Sequence, residues 1–216
     1  MNLQVDVGDF SISYIAPPTS EPLTLAQAKD HLRLPQDLTD FDSKLNLFIP
    51  GARAYLEDSF SLRIMKQQVL LTFSQFPRQD RLRLPVWPIQ SVDVFKYIGV
   101  DGTAYTLNVG ATGGAGVQLL SRLNRKPVEL VLPFAAVWPA QILTTADGIQ
   151  ISLTCGYMNG KSPETLPLPP SIQQAMCLML AHWWDNGAAV TVGTLMQSKA
   201  LALGVDEIMA SERLYW

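Results

Sequence analysis

The stretch Leu166-Pro167-Leu168-Pro169-Pro170-Ser171-Ile172-Gln173-Gln174-Ala175-Met176-Cys177-Leu178-Met179-Leu180-Ala181-His182-Trp183-Trp184-Asp185-Asn186-Gly187 decides how this chain is organised. Its prolines cannot donate to a β-ladder, so they end whatever sheet precedes them. The following residues predict a helix over Ser171 to Asn186, with Gly187 where a left-handed C-terminal cap belongs. Ile172, Ala175, Met176, Met179 and Trp183 form one apolar stripe, and Cys177, Leu180, Ala181 and Trp184 form a second. A helix apolar on nearly every face is expected to be buried all round, either centrally in its domain or between subunits.

Upstream of that helix the period is that of strands. Val69 to Phe73, Arg81 to Leu84, Val92 to Ile98, Thr103 to Leu107, Val128 to Leu132 and Ile149 to Thr154 are short and rich in β-branched and aromatic residues. Turn chemistry separates them. Val100-Asp101-Gly102-Thr103 predicts a tight primed hairpin, because Asp-Gly tolerates the positive φ angles it needs. Val109 to Gly116, with four glycines, reads as a hairpin loop.

Further upstream the period is helical again. Thr24 and Gln27 have capping-box spacing, in which hydroxyl and amide each satisfy a free backbone N–H. A helix from Leu25 to about Leu32 follows, closed by Pro35. Thr39 and Asp42 repeat the spacing ahead of Phe41, Leu45, Phe48, Ile49, Ala52, Tyr55 and Leu56, an amphipathic series. Pro50-Gly51 predicts a kink or break within it, since proline lacks the N–H and crowds the preceding turn. Met1 to Pro22 alternates apolar and polar residues and reads as an extended arm or edge strand. After the long apolar helix, Ala188 to Gly204 carries a single charge, Lys199, and Val205 to Trp216 returns to a helical pattern.

The expected fold class is therefore α+β. Residues 1–22 form an arm, 23–65 and 166–216 a helical core with an N-terminal helix pair and C-terminal helices. Residues 66–165 form an antiparallel β lobe inserted between the two helical parts.

Composition agrees with burial. Of 216 residues, 48% are hydrophobic and 16% charged, against roughly a quarter charged in ordinary soluble domains. Such a chain is either rich in core or lays apolar surface on other subunits. The formal net charge of −3 excludes an affinity built on clustered Lys and Arg neutralising phosphates. The basic stretches Arg78/Arg81/Arg83 and Ser121 to Lys126 read as solvated turns. Cys155 and Cys177 sit among apolar residues and read as free buried thiols. No signal-peptide pattern opens the sequence, and its apolar runs are too short or too proline-broken to span a bilayer. A soluble, intracellularly made protein without membrane contact is the expectation.

Motifs that carry chemistry are absent. His31 and His182 are the only histidines, and neither has a His, Cys or carboxylate at zinc-ligand spacing. His182 reads as a core or interface residue, and His31 as a cation meeting a helix C-terminus. No Gly-x-Ser-x-Gly elbow occurs, and Gly113-Gly114-Ala115-Gly116 lacks the Gly-Lys-Ser/Thr of a phosphate loop. Asp40/Asp42, Glu57/Asp58 and Asp206/Glu207 lie at or near predicted helix ends, where capping accounts for them. No catalytic, metal or cofactor site is expected. Tyr215 and Trp216 are residue types that anchor interfaces, although terminal aromatics also fold back onto their own core.

Three segments together resemble the head-to-tail connector family of tailed bacteriophages, also called adaptors or head completion proteins. They are Pro22-Leu23-Thr24-Leu25-Ala26-Gln27-Ala28-Lys29-Asp30-His31-Leu32-Arg33-Leu34, then Leu84-Pro85-Val86-Trp87-Pro88-Ile89-Gln90-Ser91-Val92 with Tyr97 to Gly102, then Leu168 to Asn186 with Gly204 to Met209. Their order carries the resemblance, which covers about Pro22 to Trp216. Pro50 stands where such helices run through small residues, and Ser211-Glu212 where a proline and an aromatic are common.

The resemblance implies a non-enzymatic virion protein, forming a ring, usually dodecameric, between the capsid portal and the tail. The partners it implies are further copies of the chain, the portal protein, a tail-side neck or tail protein, and genomic DNA passing without sequence-specific binding. It makes Met209, Leu214, Tyr215 and Trp216 candidates for portal contact. It makes Ile172, Met176, Met179, Leu180, Trp183 and Trp184 candidates for the core or the subunit interface. It implies assembly in the host cytoplasm and residence in the virion neck. The alternatives are another tail or baseplate component, or a small enzyme or ligand-binding module with a site assembled from distant residues.

Overall fold

The computed structural model describes residues 10–109, 118–122, 126–140, 147–157, 167–185 and 204–213. The chain is α+β and divides into two compact units. The described residues within 19–65 and 157–213 form a helical unit; those within 10–18 and 66–156 form the other.

Among the described residues, the second unit contains eight strands: β1 (Phe10–Ala16), β2 (Gln67–Phe73), β3 (Arg81–Leu84), β4 (Ile89–Ile98), β5 (Ala104–Val109), β6 (Gln118–Arg122), β7 (Val128–Val131) and β8 (Ile149–Cys155). They run in the order β1-β2-β8-β4-β5-β6-β7-β3. All neighbours are antiparallel except β5 and β6, which pair in parallel at Asn108↔Gln118 and Val109↔Leu119. The glycine-rich loop expected over Val109 to Gly116 lies, beyond Val109, outside the described residues. Period-two alternation sets the register. Val69 faces Leu153 and Leu71 faces Ile151 across β2 and β8, all four fully buried. Phe73, Phe95, Leu107 and Ile149 extend that core.

In the basic stretch near β3, Arg78 lies in an exposed bend as expected, but the other two arginines do not. Arg81 and Arg83 stand on the strand and face Glu129 of β7 at 3.5 and 3.4 Å. Of the second stretch, Ser121 and Arg122 end a strand, β6, and residues 123–125 lie outside the described residues. The β4–β5 connection is wider than a two-residue turn, because Ile98 pairs with Ala104. Gly102 donates its N–H to Gly99 O at 2.9 Å and sits at φ 77°, which only glycine adopts without strain.

The helical unit holds α1 (Leu25–His31), α2 (Asp42–Phe60), α3 (Pro170–Asp185) and a short α4 over residues 204–209. The Thr24–Gln27 capping box forms in full. The second capping site does not: Phe41 is the N-cap of α2, with no side-chain cap bond. Asp42 is drawn elsewhere, its carboxylate 2.6 Å from Nζ of the buried Lys29. That ammonium also donates to Leu38 O at 2.7 Å and Gln36 O at 3.2 Å, tying the α1–α2 connection together. Pro50 does not break α2, which is helical throughout. Leu45, Ile49, Ala52, Leu56 and Phe60 are buried along one side of the helix, and this packing outweighs one lost backbone bond.

Candidate functional site

Helix α3 is where the sequence placed most of its candidates. Ile172, Ala175, Met176, Met179 and Leu180 are buried, in a core shared with Leu23, Ile49, Ala52, Leu56, Phe60 and Met209. The burial is not all round. Cys177, Leu178, Ala181, His182, Trp183 and Trp184 are only half-buried. Of the second apolar stripe, Leu180 is fully buried, whereas Cys177, Ala181 and Trp184 are half-buried.

The half-covered tryptophans have defined contacts. Trp183 packs edge-on to Phe48 with ring centroids 5.7 Å apart, and Trp184 meets Phe41 edge-on at 5.0 Å. Lys44 lays its ammonium 4.7 Å from the Trp184 ring centre and 5.3 Å from that of Phe48, a geometry in which the ring face attracts the cation. Along the outer side of α2, Leu47 is 70% and Tyr55 54% exposed, with exposed Gly51 and Ala54 beside them. From Asn46 to Tyr55, Arg53 is the one charged residue, and it turns inward to two carboxylates. An uncharged, partly apolar helix face of this kind is what a protein partner covers.

Of the portal-contact candidates, Met209 is fully buried in the helical core and offers no surface in the subunit. Leu214, Tyr215 and Trp216 lie outside the described residues, as do Gly187 and residues 188–203. Glu212, which departs from the family pattern, accepts the Tyr157 hydroxyl at 2.8 Å. Arg213 stacks its guanidinium 4.8 Å from the Phe60 ring centre. The C-terminal segment is thus fixed to the helical unit up to residue 213.

Sequence reading missed the buried ions. Glu57 is 2% exposed; its Oε2 pairs with Arg53 Nη1 at 3.0 Å and its Oε1 accepts the Ile64 N–H at 2.8 Å. Arg53 also meets Glu21 at 2.8 Å. Burial works against its charge, but Glu21 and Glu57 overcome that and hold the guanidinium above the ordinary arginine value. The i, i+4 spacing of Arg53 and Glu57 was a visible signal, yet only packing could show that it points inward.

Among the described residues, no three His, Cys, Asp or Glu side chains stand close enough to hold a metal ion. Neither cysteine forms a disulfide, and burial pushes the Cys177 thiol up, away from the reactive thiolate. No described helix is long and apolar enough to cross a membrane.

These features define an α+β fold with an uncharged helix face on α2. No protein-family model matches the chain, and no curated protein matches it in sequence. Solved structures do share the fold. A chain in the neck of an empty GTA particle, computed with C6 symmetry, aligns over 95% of this chain and 96% of its own, with 19% identity and a TM-score of 0.69. A chain in the neck of the native GTA particle, computed with C12 symmetry, has the same identity and coverage with a TM-score of 0.63. A third, from the virion of a native gene transfer agent (GTA) particle, has 22% identity over 83% of this chain and 88% of its own, with a TM-score of 0.58. At these identities the likeness is one of fold.

Proposed function

We propose that this chain is a structural, non-enzymatic protein of the neck of a phage-like particle, forming an adaptor ring between portal and tail. The observation that carries the reading is the near end-to-end fold match to a chain of a GTA particle neck, which leaves almost no segment of either chain over. The half-buried side of α3 and the uncharged outer face of α2 support it, since ring contacts need apolar surface that an isolated subunit leaves accessible. In this reading those faces pack against neighbouring copies, and Leu214, Tyr215 and Trp216 reach the portal. A tail-side neck or tail protein binds the opposite end of the ring. The net charge of −3 suits a DNA channel, because a lumen that gripped phosphates would retard passage.

Native mass spectrometry and negative-stain microscopy of the purified protein, alone and mixed with portal, test the proposal. A ring, or an assembly that appears when portal is added, is the expected result. A persistent monomer indifferent to portal overturns it.

A further inference from the structure

The turn that follows β7 in the sheet unit carries the most exposed large apolar side chain among the described residues. Phe134 is fully exposed, and Val137 is 77% exposed. The turn is nonetheless held in place. Ala136 donates its N–H to Pro133 O at 3.1 Å, and Leu132 donates to Asp80 O at 2.8 Å. The Trp138 indole N–H donates to Gln79 O at 2.7 Å, and its ring stacks on Phe76 with centroids 4.9 Å apart. Ala135, between the two exposed residues, sits at φ 63°, a left-handed conformation unfavourable for a residue with a Cβ. The fold thus fixes a phenyl ring in water, beside Arg78, which is exposed and forms no ion pair among the described residues.

The helical unit carries a surface of matching chemistry. Phe41, 39% exposed, and the half-buried Trp184 meet edge-on. Asp40 precedes Phe41 and Asp185 follows Trp184, and both are exposed without an ion pair among the described residues, as is Asp37. Lys44, over the Trp184 ring, is the one cation described at this patch, so negative charge is in excess there. The imbalance extends to the whole chain. Residues 19–65 and 157–213 hold twelve Asp and Glu against eight Lys and Arg, whereas the remainder holds seven against eight.

We propose that the Phe134 turn of one copy seats on the Phe41–Trp184 patch of the next, with Arg78 directed to the carboxylates of Asp40 and Asp185. The occupant is a second copy because knob and patch complement each other in shape class and in charge. They are unlike surfaces of one chain, so a contact between them repeats head to tail, the arrangement from which a closed ring is built. The turn alone is far smaller than the roughly 800 Å² per partner of a stable interface. It therefore acts inside a larger contact, for which α2 and α3 supply apolar surface. A lipid surface fits less well, since one lone cation stands beside the turn where such binding draws on several. The inference rests on the ring reading and names surfaces that make the ring.

Two variants of the full chain test the contact, Phe134→Asp for the knob and the double change Asp40→Lys with Asp185→Lys for the patch. All three side chains are exposed, so both variants should keep the parent's Tm and circular dichroism. Each should need about tenfold more protein than the parent to assemble, as read by native mass spectrometry with and without portal. Each variant keeps the surface that the other has lost. At a concentration where neither assembles alone, an equimolar mixture should form a one-to-one pair that grows no further. Assembly of either variant at the parent's concentration, or a mixture that stays monomeric, overturns the contact and leaves the neck reading standing. A parent chain that never assembles, even with portal, overturns both.

Discussion

The Glu57 carboxylate accepts the backbone N–H of Ile64 at 2.8 Å, seven positions along the chain. The same residue's carbonyl receives the N–H of Leu62 at 3.1 Å and that of Ser61, the left-handed cap of α2. One buried glutamate therefore organises the whole exit from α2. Replacing it leaves a buried donor and part of the Arg53 charge unmatched. Glu57→Ala is expected to cost about 3 kcal/mol in urea unfolding. Glu57→Gln, whose amide oxygen can keep the Ile64 bond, should cost clearly less. Equal losses for the two variants would refute the role of the Ile64 bond.

Pro50 sits within a continuous helix, so the Asn46 carbonyl has no N–H to accept four residues on. Pro50→Ala restores that donor. The gain is reduced by the greater freedom alanine gives the unfolded chain. A stabilisation of about 1 kcal/mol is expected, read as a rise in Tm. A fall in Tm would mean that the proline ring contributes packing beyond its backbone effect.

Met176 and Trp184 lie on the covered and half-covered sides of α3. Met176→Ala should destabilise the isolated subunit by about 3 kcal/mol through the cavity it leaves. Trp184→Ala should cost the subunit less, yet weaken self-association more than Met176→Ala does. Sedimentation velocity of both variants separates the effects, and a Trp184→Ala protein that assembles normally would remove that stripe from the interface.

Deleting Leu214 to Trp216 leaves the contacts of Glu212 and Arg213 intact. The truncated subunit should fold normally and lose portal binding in a pull-down. Binding that survives unchanged takes those residues out of the portal contact.

Asp101 is held below the usual carboxylate value, first by the Thr103 N–H and then by the Tyr105 hydroxyl. The Tyr105 phenol is held above the ordinary tyrosine value, first by its bond to Asp101. A depressed carboxylate stabilises the turn above its unfolded pKa and ceases to as pH falls through the folded one. A raised phenol stabilises it below its unfolded pKa and ceases to as pH rises through the folded one. The contact should therefore persist from mildly acidic to mildly alkaline pH. In Asp101→Asn the Tyr105 hydroxyl should ionise at lower pH than in the parent, as followed by ultraviolet difference absorption.

The sequence alone determined the element order apart from β6, since that order rests on local rules. The Thr24–Gln27 spacing satisfies backbone donors within one turn, and period-two alternation in Val69 to Phe73 allows one buried face. Those signals needed no partner to be legible. Only the tertiary structure decided what depends on residues far apart in the chain. It drew Asp42 from capping to Lys29, turned Glu57 inward to Ile64, carried α2 through Pro50, and placed Arg81 and Arg83 beside Glu129. It also decided that α3 is fully buried on one side and half-buried on the other, and that Tyr97, Asp101 and Tyr105 frame a recess. Local periodicity reports which residues could be buried, whereas the neighbours that bury them, or leave them open to a partner, exist only once distant segments have packed.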